Sequence, residues 1–153
     1  LSIRRQRQMC IRDSYRRKEI FQLHSSIGFS FMSVIASTAI ISASAYLSEG
    51  VQVMPGAIIQ SGAKIGKNTI VNTGAVIDHD CIIGKHNHIA PGAVLSGLVK
   101  TGNNVHIGTN ASVIQKIIIG EDSIVGSGVS VTKDLPRKST LFPAKPFLKS
   151  NEN

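Results

Sequence analysis

A branched aliphatic residue stands at every sixth position along most of this chain. The one exception in the series is Thr101. The positions are Ile35, Ile41, Leu47, Val53, Ile59, Ile65, Val71, Ile77, Ile83, Ile89, Leu95, Thr101, Ile107, Val113, Ile119, Val125 and Val131. Neither the helical period of about 3.6 residues nor the strand period of about 2 selects every sixth residue alone. The repeat therefore belongs to a larger structural unit.

Small residues accompany the aliphatic ones, four positions after them. They are Ala39, Ala45, Ala57, Ala63, Ala75, Cys81, Ala93, Ala111 and Ser123. One large and one small side chain per repeat suits a narrow three-sided coil with one short strand on each face. Three repeats make a rung of about eighteen residues, so the series gives five to six rungs. The pattern predicts an all-β fold, a parallel β-helix of hexapeptide repeats.

Glycine directly follows many of the aliphatic residues. These glycines are Gly66, Gly84, Gly102, Gly108, Gly120 and Gly126. We expect them at the corners of the coil, where the backbone must adopt conformations that are unfavourable to residues with a Cβ.

The composition favours one domain with a thin interior. The 153 residues are 42% hydrophobic but only 5% aromatic, and the chain contains no Trp. Its two cysteines do not form a disulfide framework, and Cys81 occupies a small inward position of the repeat, where we expect a buried thiol. A reducing, cytoplasmic location is expected.

The net charge of +8 is concentrated before the repeat. The basic residues there are Arg4, Arg5, Arg7, Arg12, Arg16, Arg17 and Lys18. The coil carries only scattered lysines, which argues against a nucleic-acid partner. We expect residues 1–14, LSIRRQRQMCIRDS, to be a non-native segment that takes no part in the fold.

No Asp, Glu, Lys or Arg lies between Glu19 and Glu49, so a membrane segment has to be weighed. Serines and Gly28 interrupt this stretch, and the repeat is already running at Ile35, so no membrane insertion is expected. The pattern instead predicts an amphipathic helix over 15–24, a turn near Gly28 and a strand over 29–35.

These features divide the chain into four parts. Residues 15–34 form the short helix and strand, residues 35–136 form the β-helix, and residues 137–153 form an irregular tail. The residues expected to end the regular structure are Asp134, Pro136, Pro143 and Pro146.

The residues with most chemical potential lie between Val71 and Gly97. His79 stands between Asp78 and Asp80, and a carboxylate beside an imidazole fixes its tautomer and raises its basicity, as a general base near neutral pH requires. Gly97 follows His79 by eighteen positions. Stacked one rung above the imidazole, this glycine would leave an open notch and an accessible backbone N–H for a substrate.

Other histidines lie on the next face of the predicted coil. His88 could meet His79 if a face of one subunit packed against another subunit about a threefold axis, which would place a site at the subunit interface. His86, His88 and His106 could offer two or three zinc ligands from one corner. The cluster includes no acidic or Cys ligand, however, and no metal is expected.

Two motifs, DHDC at 78–81 and HIAPGA at 88–93, carry a family resemblance, together with VHIGTNASVIQ, IIIGEDSIVGSGVSVTKDLP and PAK further on. Over roughly residues 15–149 the chain resembles the left-handed β-helix acetyltransferases of the sialic acid O-acetyltransferase and bacillosamine N-acetyltransferase family. The resemblance implies a homotrimer that moves acetyl from acetyl-CoA to an amine or hydroxyl of a sugar, often one carried on a nucleotide.

The resemblance also implies roles for individual residues. His79 would be the general base, Asp80 its orienting carboxylate and Asn72 a further active-site residue. The residues implied for acetyl-CoA are His88 and Gly97 near the thioester oxygen, with Thr109 and Ser127 near the rest of the cofactor. Direct attack by the acceptor needs no enzyme nucleophile, so Cys81 is not expected to carry acetyl.

The sequence departs from that family in its first part. Most of the N-terminal nucleotide-sugar-binding domain has no counterpart here, and residues 15–34 would be its remnant, so activity on a nucleotide sugar would be impaired. Two alternatives stay open: a γ-type carbonic anhydrase, which shares the fold and would hold zinc, and a non-catalytic β-helix scaffold, which would not bind CoA.

Overall fold

The computed structural model describes residues 14–143, which form one helix and a coil of two-residue strands. Helix α1 spans Ser14–Ser26. The strands are β1 (Val34–Ile35), β2 (Ile40–Ile41), β3 (Tyr46–Leu47), β4 (Gln52–Val53), β5 (Ile58–Ile59), β6 (Lys64–Ile65), β7 (Ile70–Val71), β8 (Val76–Ile77), β9 (Ile82–Ile83), β10 (His88–Ile89), β11 (Val94–Leu95), β12 (Lys100–Thr101), β13 (His106–Ile107), β14 (Ser112–Val113), β15 (Ile118–Ile119), β16 (Ile124–Val125), β17 (Ser130–Val131) and β18 (Thr140–Leu141).

The strands stack in parallel into three sheets, which are the three faces of a left-handed β-helix of about six rungs. Face A contains β1, β4, β7, β10, β13, β16 and β18; face B contains β2, β5, β8, β11, β14 and β17; face C contains β3, β6, β9, β12 and β15. Each strand pairs with the strand one rung on, as His88 does with His106. The predicted architecture is confirmed.

The core is a single column inside the coil. From Val53 to Val131 the second residue of each strand is buried, and the small residues such as Ala57 and Cys81 fill the space between these aliphatics. The N-terminal end of the column is open, since Ile35 is 49% exposed.

The glycines that follow the aliphatics serve a different purpose from the expected one. A Cβ added at Gly66 would lie 2.5 Å from the carbonyl carbon of Gly84, one rung away, so these glycines allow adjacent rungs to approach closely. The left-handed backbone conformation occurs two positions later, for example at Asn68 with φ 56° and His86 with φ 60°. Asn and Asp tolerate this region better than other side chains, and both recur there.

The first elements differ from the expectation. Helix α1 begins at Ser14 and is not amphipathic, because Phe21 alone is buried whereas Ile20 and Leu23 are exposed. The turn at Gly28 is confirmed.

The strand predicted over 29–35 is reduced to β1. Among residues 14–143, no strand lies on the N-terminal side of this segment to pair with it. Instead, the Phe31 N–H donates to the Glu49 carboxylate at 2.8 Å, and the Gly50 N–H donates to the Phe31 carbonyl at 3.1 Å.

Regular structure continues beyond residue 136, the predicted end of the coil, and stops shortly before Pro143. Beyond β17, Leu135 bridges to Ile119 on face C, and β18 then adds to β16 on face A. Leu141 pairs with Val125 only sixteen residues earlier, so the last rung is two residues shorter than the others. Asp134 and Pro136 lie within this rung, whereas Pro146 and residues 1–13 lie outside the described part of the chain.

Within residues 14–143, no helix has the length and apolar character needed to cross a bilayer.

Candidate active site

His79 and Asp80 lie at the corner between faces B and C, which we call corner BC. The imidazole Nδ1 is 3.0 Å from Asp80 Oδ2, and the His79 N–H donates to Asp78 Oδ1 at 2.7 Å. The hydrogen bond to Asp80 raises the pKa of His79, more than partial burial lowers it, and the charge of Asp78 adds to the rise. Because the neutral ring donates from Nδ1 to the carboxylate, its Nε2 is left as a proton acceptor.

Two glycines, one rung above and one rung below, make room for this pair. A Cβ on Gly97 would lie 2.7 Å from His79 Cε1. The imidazole of His79 therefore fills the space beside this glycine, which was expected to form an open notch. A Cβ on Gly62 would collide with Asp80 Oδ1. Gly62 was not predicted, although its spacing of eighteen residues from Asp80 was available as a signal.

Asn72 and His88 form a second pair. Asn72 lies at the corner between faces A and B, called corner AB, and its Nδ2 is 3.1 Å from His88 Nε2. The Asn72 Oδ1 accepts the Thr73 N–H at 2.7 Å, and since a backbone N–H can only donate, the amide orientation is fixed. His88 Nε2 must therefore be the acceptor, which places the proton of the neutral ring on Nδ1.

The environment of His88 keeps its ring neutral. Burial, together with the neighbouring His106 and Arg17, lowers the pKa of His88 to about 4. The rings of His88 and His106 lie 5.0 Å apart at an interplanar angle of 70°.

The three histidines weighed as zinc ligands do not share one corner. His88 and His106 lie on face A, whereas His86 lies at the corner between faces C and A, where its Nδ1 is 2.9 Å from Asn68 Nδ2. Burial, with Lys18 and other basic neighbours, lowers the pKa of His86 to about 4. In the part of the chain that the structure describes, no three His, Cys, Asp or Glu side chains are grouped as a metal site.

Thr109 and Ser127 lie at corner AB, one rung apart, and both are exposed. The Gly128 N–H donates to the Thr109 carbonyl at 2.8 Å, which joins the two turns. They share this corner with Asn72. The predicted site residues thus fall into two groups within one chain, one at corner AB with His88 beside it and one at corner BC, on opposite edges of face B.

Cys81 has no exposed thiol. Its side chain is buried and donates to the Ser96 carbonyl at 3.2 Å, and burial raises its pKa to about 11. The expectation of a structural thiol is confirmed.

The sequence of the chain matches a known family of hexapeptide-repeat proteins. The family model described as bacterial transferase hexapeptide (six repeats) matches residues 44–79, 62–97 and 99–133. No curated protein matches the chain.

Several solved structures are similar. A mutant of perosamine N-acetyltransferase from Caulobacter crescentus, in complex with CoA and GDP-perosamine, is 36% identical with a TM-score of 0.83, covering 92% of this chain and 67% of that one. The acetyltransferase domain of PglB from Neisseria gonorrhoeae FA1090, in complex with acetyl coenzyme A, is 34% identical with a TM-score of 0.83, covering 90% and 68%.

WeeI from Acinetobacter baumannii AYE is 32% identical with a TM-score of 0.81, covering 85% of this chain and 64% of that one. The present chain thus spans about two thirds of the length of these relatives. On sequence and fold together, the chain belongs to the bacterial transferase hexapeptide family and is an acyltransferase.

Proposed function

We propose that this protein transfers acetyl from acetyl-CoA to an amine or hydroxyl of a sugar or nucleotide-activated sugar, with His79 as general base. The observation that carries the proposal is the hydrogen bond between His79 and Asp80, which leaves Nε2 as a proton acceptor on an exposed ring. Relatives crystallised with CoA and GDP-perosamine support the donor and the class of acceptor.

The reaction is a direct transfer. The acceptor nitrogen or oxygen attacks the thioester carbonyl while His79 Nε2 takes its proton, and a tetrahedral oxyanion forms. The Gly97 N–H and the His88 Nδ1–H are the donors proposed for this oxygen. Collapse of the intermediate breaks the carbon–sulfur bond, and the imidazolium returns its proton to the CoA thiolate. Asp80 stabilises the imidazolium between the two steps.

The two groups of site residues are proposed to meet in a homotrimer. The outward residues Ile40, Ile58, Val76 and Val94 form an uninterrupted aliphatic stripe along face B. At the equivalent positions of face C, Lys64 and Lys100 alternate with Tyr46, Ile82 and Ile118. Packing face B around a threefold axis would bury this stripe and bring corner BC of one copy to corner AB of the next. His79 would then oppose Asn72 and His88 of a neighbouring copy.

The acetyl-CoA chain would run along corner AB. Thr109 and Ser127 follow Asn72 up this corner, and the backbone of Ser127 packs closely on Gly108, where an added Cβ would lie 2.5 Å from the Ser127 nitrogen. The acceptor would enter from the corner BC side, beside His79. No resident metal is part of this proposal, and a cytoplasmic location is proposed with it.

The test is calorimetric titration with acetyl-CoA, followed by transfer assays on nucleotide-linked 4-amino sugars and on sialic acids. His79→Ala should bind acetyl-CoA with unchanged affinity and lower transfer by about 100-fold or more. A wild-type chain that does not bind acetyl-CoA would favour a scaffold, and zinc-dependent bicarbonate dehydration would favour a carbonic anhydrase. Unchanged turnover in the variant would remove His79 from the mechanism.

A further inference from the structure

Helix α1 contacts the segment that carries His88. The Arg17 Nη2 donates to the carbonyls of His86 and Asn87, at 3.0 and 3.1 Å. In return, Asn68 Nδ2 lies 3.4 Å from the Arg17 carbonyl, which ties the helix backbone to the coil. Phe21, the buried residue of α1, stacks edge-on with the ring of His86 at 5.6 Å.

The same segment is held from inside the coil. The buried Asn87 Nδ2 donates to Thr101 Oγ1 at 2.6 Å and to the Gly102 carbonyl at 3.0 Å, and its Oδ1 accepts the Val105 N–H at 2.7 Å. The backbone that leads into His88 is therefore restrained on both sides, by an amide within the core and by a guanidinium outside it.

We infer that Arg17 is a positioning residue for the acetyl-donor side of the site, and that α1 contributes to the site by fixing the segment that leads into His88. This inference rests on the proposed role of His88 near the thioester. Both bonds come from one guanidinium nitrogen, whose two N–H groups are fixed in the guanidinium plane, so they can hold two successive carbonyls in one geometry. The N–H groups of an ammonium rotate about the side chain and do this less well. The imidazole of His88 then keeps its Nε2 on Asn72 and its Nδ1–H directed away from it.

The charges around His88 act in the same direction as the geometry. Arg17 faces it from α1 and His106 from the next rung of face A, while Lys18 and Lys85 lie near His86 at the neighbouring corner. Burial and these groups together lower the pKa of His88 and keep its ring neutral. Loss of the guanidinium should therefore raise this pKa as well as loosen the backbone.

The experiment compares Arg17→Ala and Arg17→Lys with Arg16→Ala. Arg16 precedes Arg17 on the same helix, is exposed and pairs with the exposed Glu19, so its variant controls for changes to α1 itself. Two readouts are used: calorimetric affinity for acetyl-CoA, and titration of the His88 ring by nuclear magnetic resonance. The second needs no ligand and no activity.

Arg17→Ala should weaken acetyl-CoA binding by about tenfold and raise the His88 titration midpoint, while Arg16→Ala changes neither. Arg17→Lys should keep the low midpoint and still bind acetyl-CoA several-fold less tightly, because it retains the charge but loses the planar nitrogen that holds both carbonyls. If Arg17→Ala does not fold, Arg17→Lys alone tests the inference. Wild-type affinity in Arg17→Lys, or a lowered melting temperature in Arg17→Ala without change in either readout, would overturn the inference. Absence of acetyl-CoA binding in the wild type would instead count against the proposed function, and the His88 titration would still test Arg17.

Discussion

The hydroxyl of Thr101 accepts a hydrogen bond of 2.6 Å from the side-chain amide of Asn87 inside the β-helix. Asn87 is fully buried and Thr101 is 7% exposed. The hydroxyl also accepts the Gly84 N–H at 3.1 Å. A narrow apolar interior tolerates an amide only when its polar atoms are hydrogen-bonded. Thr101, the one polar residue in the aliphatic series, supplies a hydrogen-bond acceptor for the buried Asn87.

Replacing Thr101 by Val should destabilise the coil although it restores the aliphatic pattern. The variant leaves the Gly84 N–H and one donor of Asn87 without an acceptor, which costs about 1–3 kcal/mol. The measurement is urea unfolding. A double-mutant cycle with Asn87→Ala should give a loss smaller than the sum of the single losses, because both changes break the same bond. Equal or higher stability of Thr101→Val would show that the hydroxyl is not needed.

Adding a methyl group at Gly62 should reduce catalysis by displacing the Asp80 carboxylate. Gly62 has φ +69°, and its added Cβ would occupy the place of Asp80 Oδ1. Gly56 has the same φ of +69°, but the nearest atoms to its added Cβ lie 3.9 Å away. Both Gly→Ala variants should therefore lose about 1–2 kcal/mol of stability from backbone strain. Only Gly62→Ala should lower kcat/KM, and equal activities would contradict this role for Gly62.

Replacing Asp80 by Asn should shift the pH profile of kcat/KM. Asp80 raises the pKa of His79 and has φ 56°, a conformation that Asn tolerates. Without the carboxylate the imidazole loses protons more readily, so the acid limb of the profile should move to lower pH. The plateau should fall by roughly tenfold, since a less basic and less well oriented ring is a weaker base. An unshifted acid limb would show that Asp80 does not raise the pKa of the catalytic His79.

The rungs could be predicted from the sequence because a period of six assigns each residue directly to a face or a corner. The same rule found the stacking of Gly97 on His79, which are eighteen residues apart. It does not find the bond between Asn72 and His88, which spans sixteen residues and joins a corner to a strand. It also missed the shortened last rung, since the two-residue change of phase ends the repeat. Nothing in the sequence spacing indicates that Arg17 donates hydrogen bonds to the carbonyls of His86 and Asn87.

Mild acid should destabilise the protein before its carboxylates titrate. In the folded chain burial lowers the pKa of His86 and His88 to about 4, from an ordinary value of 6.5. The unfolded chain therefore binds protons first as the pH falls, so stability is complete above about pH 6.5 and decreases from there towards pH 4. His79 has a raised pKa and acts in the opposite direction, but its exposed ring contributes little.

The measurement is the urea midpoint at pH 7.5 and at pH 5. His88→Gln should unfold at a lower midpoint at pH 7.5 but show a smaller decrease between the two pH values. Gln can still accept from Asn72 and cannot take up a proton in this range. A wild-type midpoint that is the same at both pH values would mean that these histidines are accessible to protons in the folded chain.

Mixing two inactive variants should restore activity if each site is shared between copies. In trimers assembled from equal amounts of His79→Ala and His88→Ala chains, about one quarter of the interfaces would combine an intact His79 with an intact His88 from the next copy. Activity should therefore recover to about one quarter of the wild-type value after joint refolding, measured as acetyl transfer per site. The matched control mixes His79→Ala with Asp80→Ala. Both of these residues come from the same corner of one chain, so no site regains both, and activity per site should stay at the mean of the two separate variants. No recovery in the first mixture despite trimer formation would place the whole site within a single chain. Recovery in the control would contradict the pairing of His79 with Asp80 of the same chain.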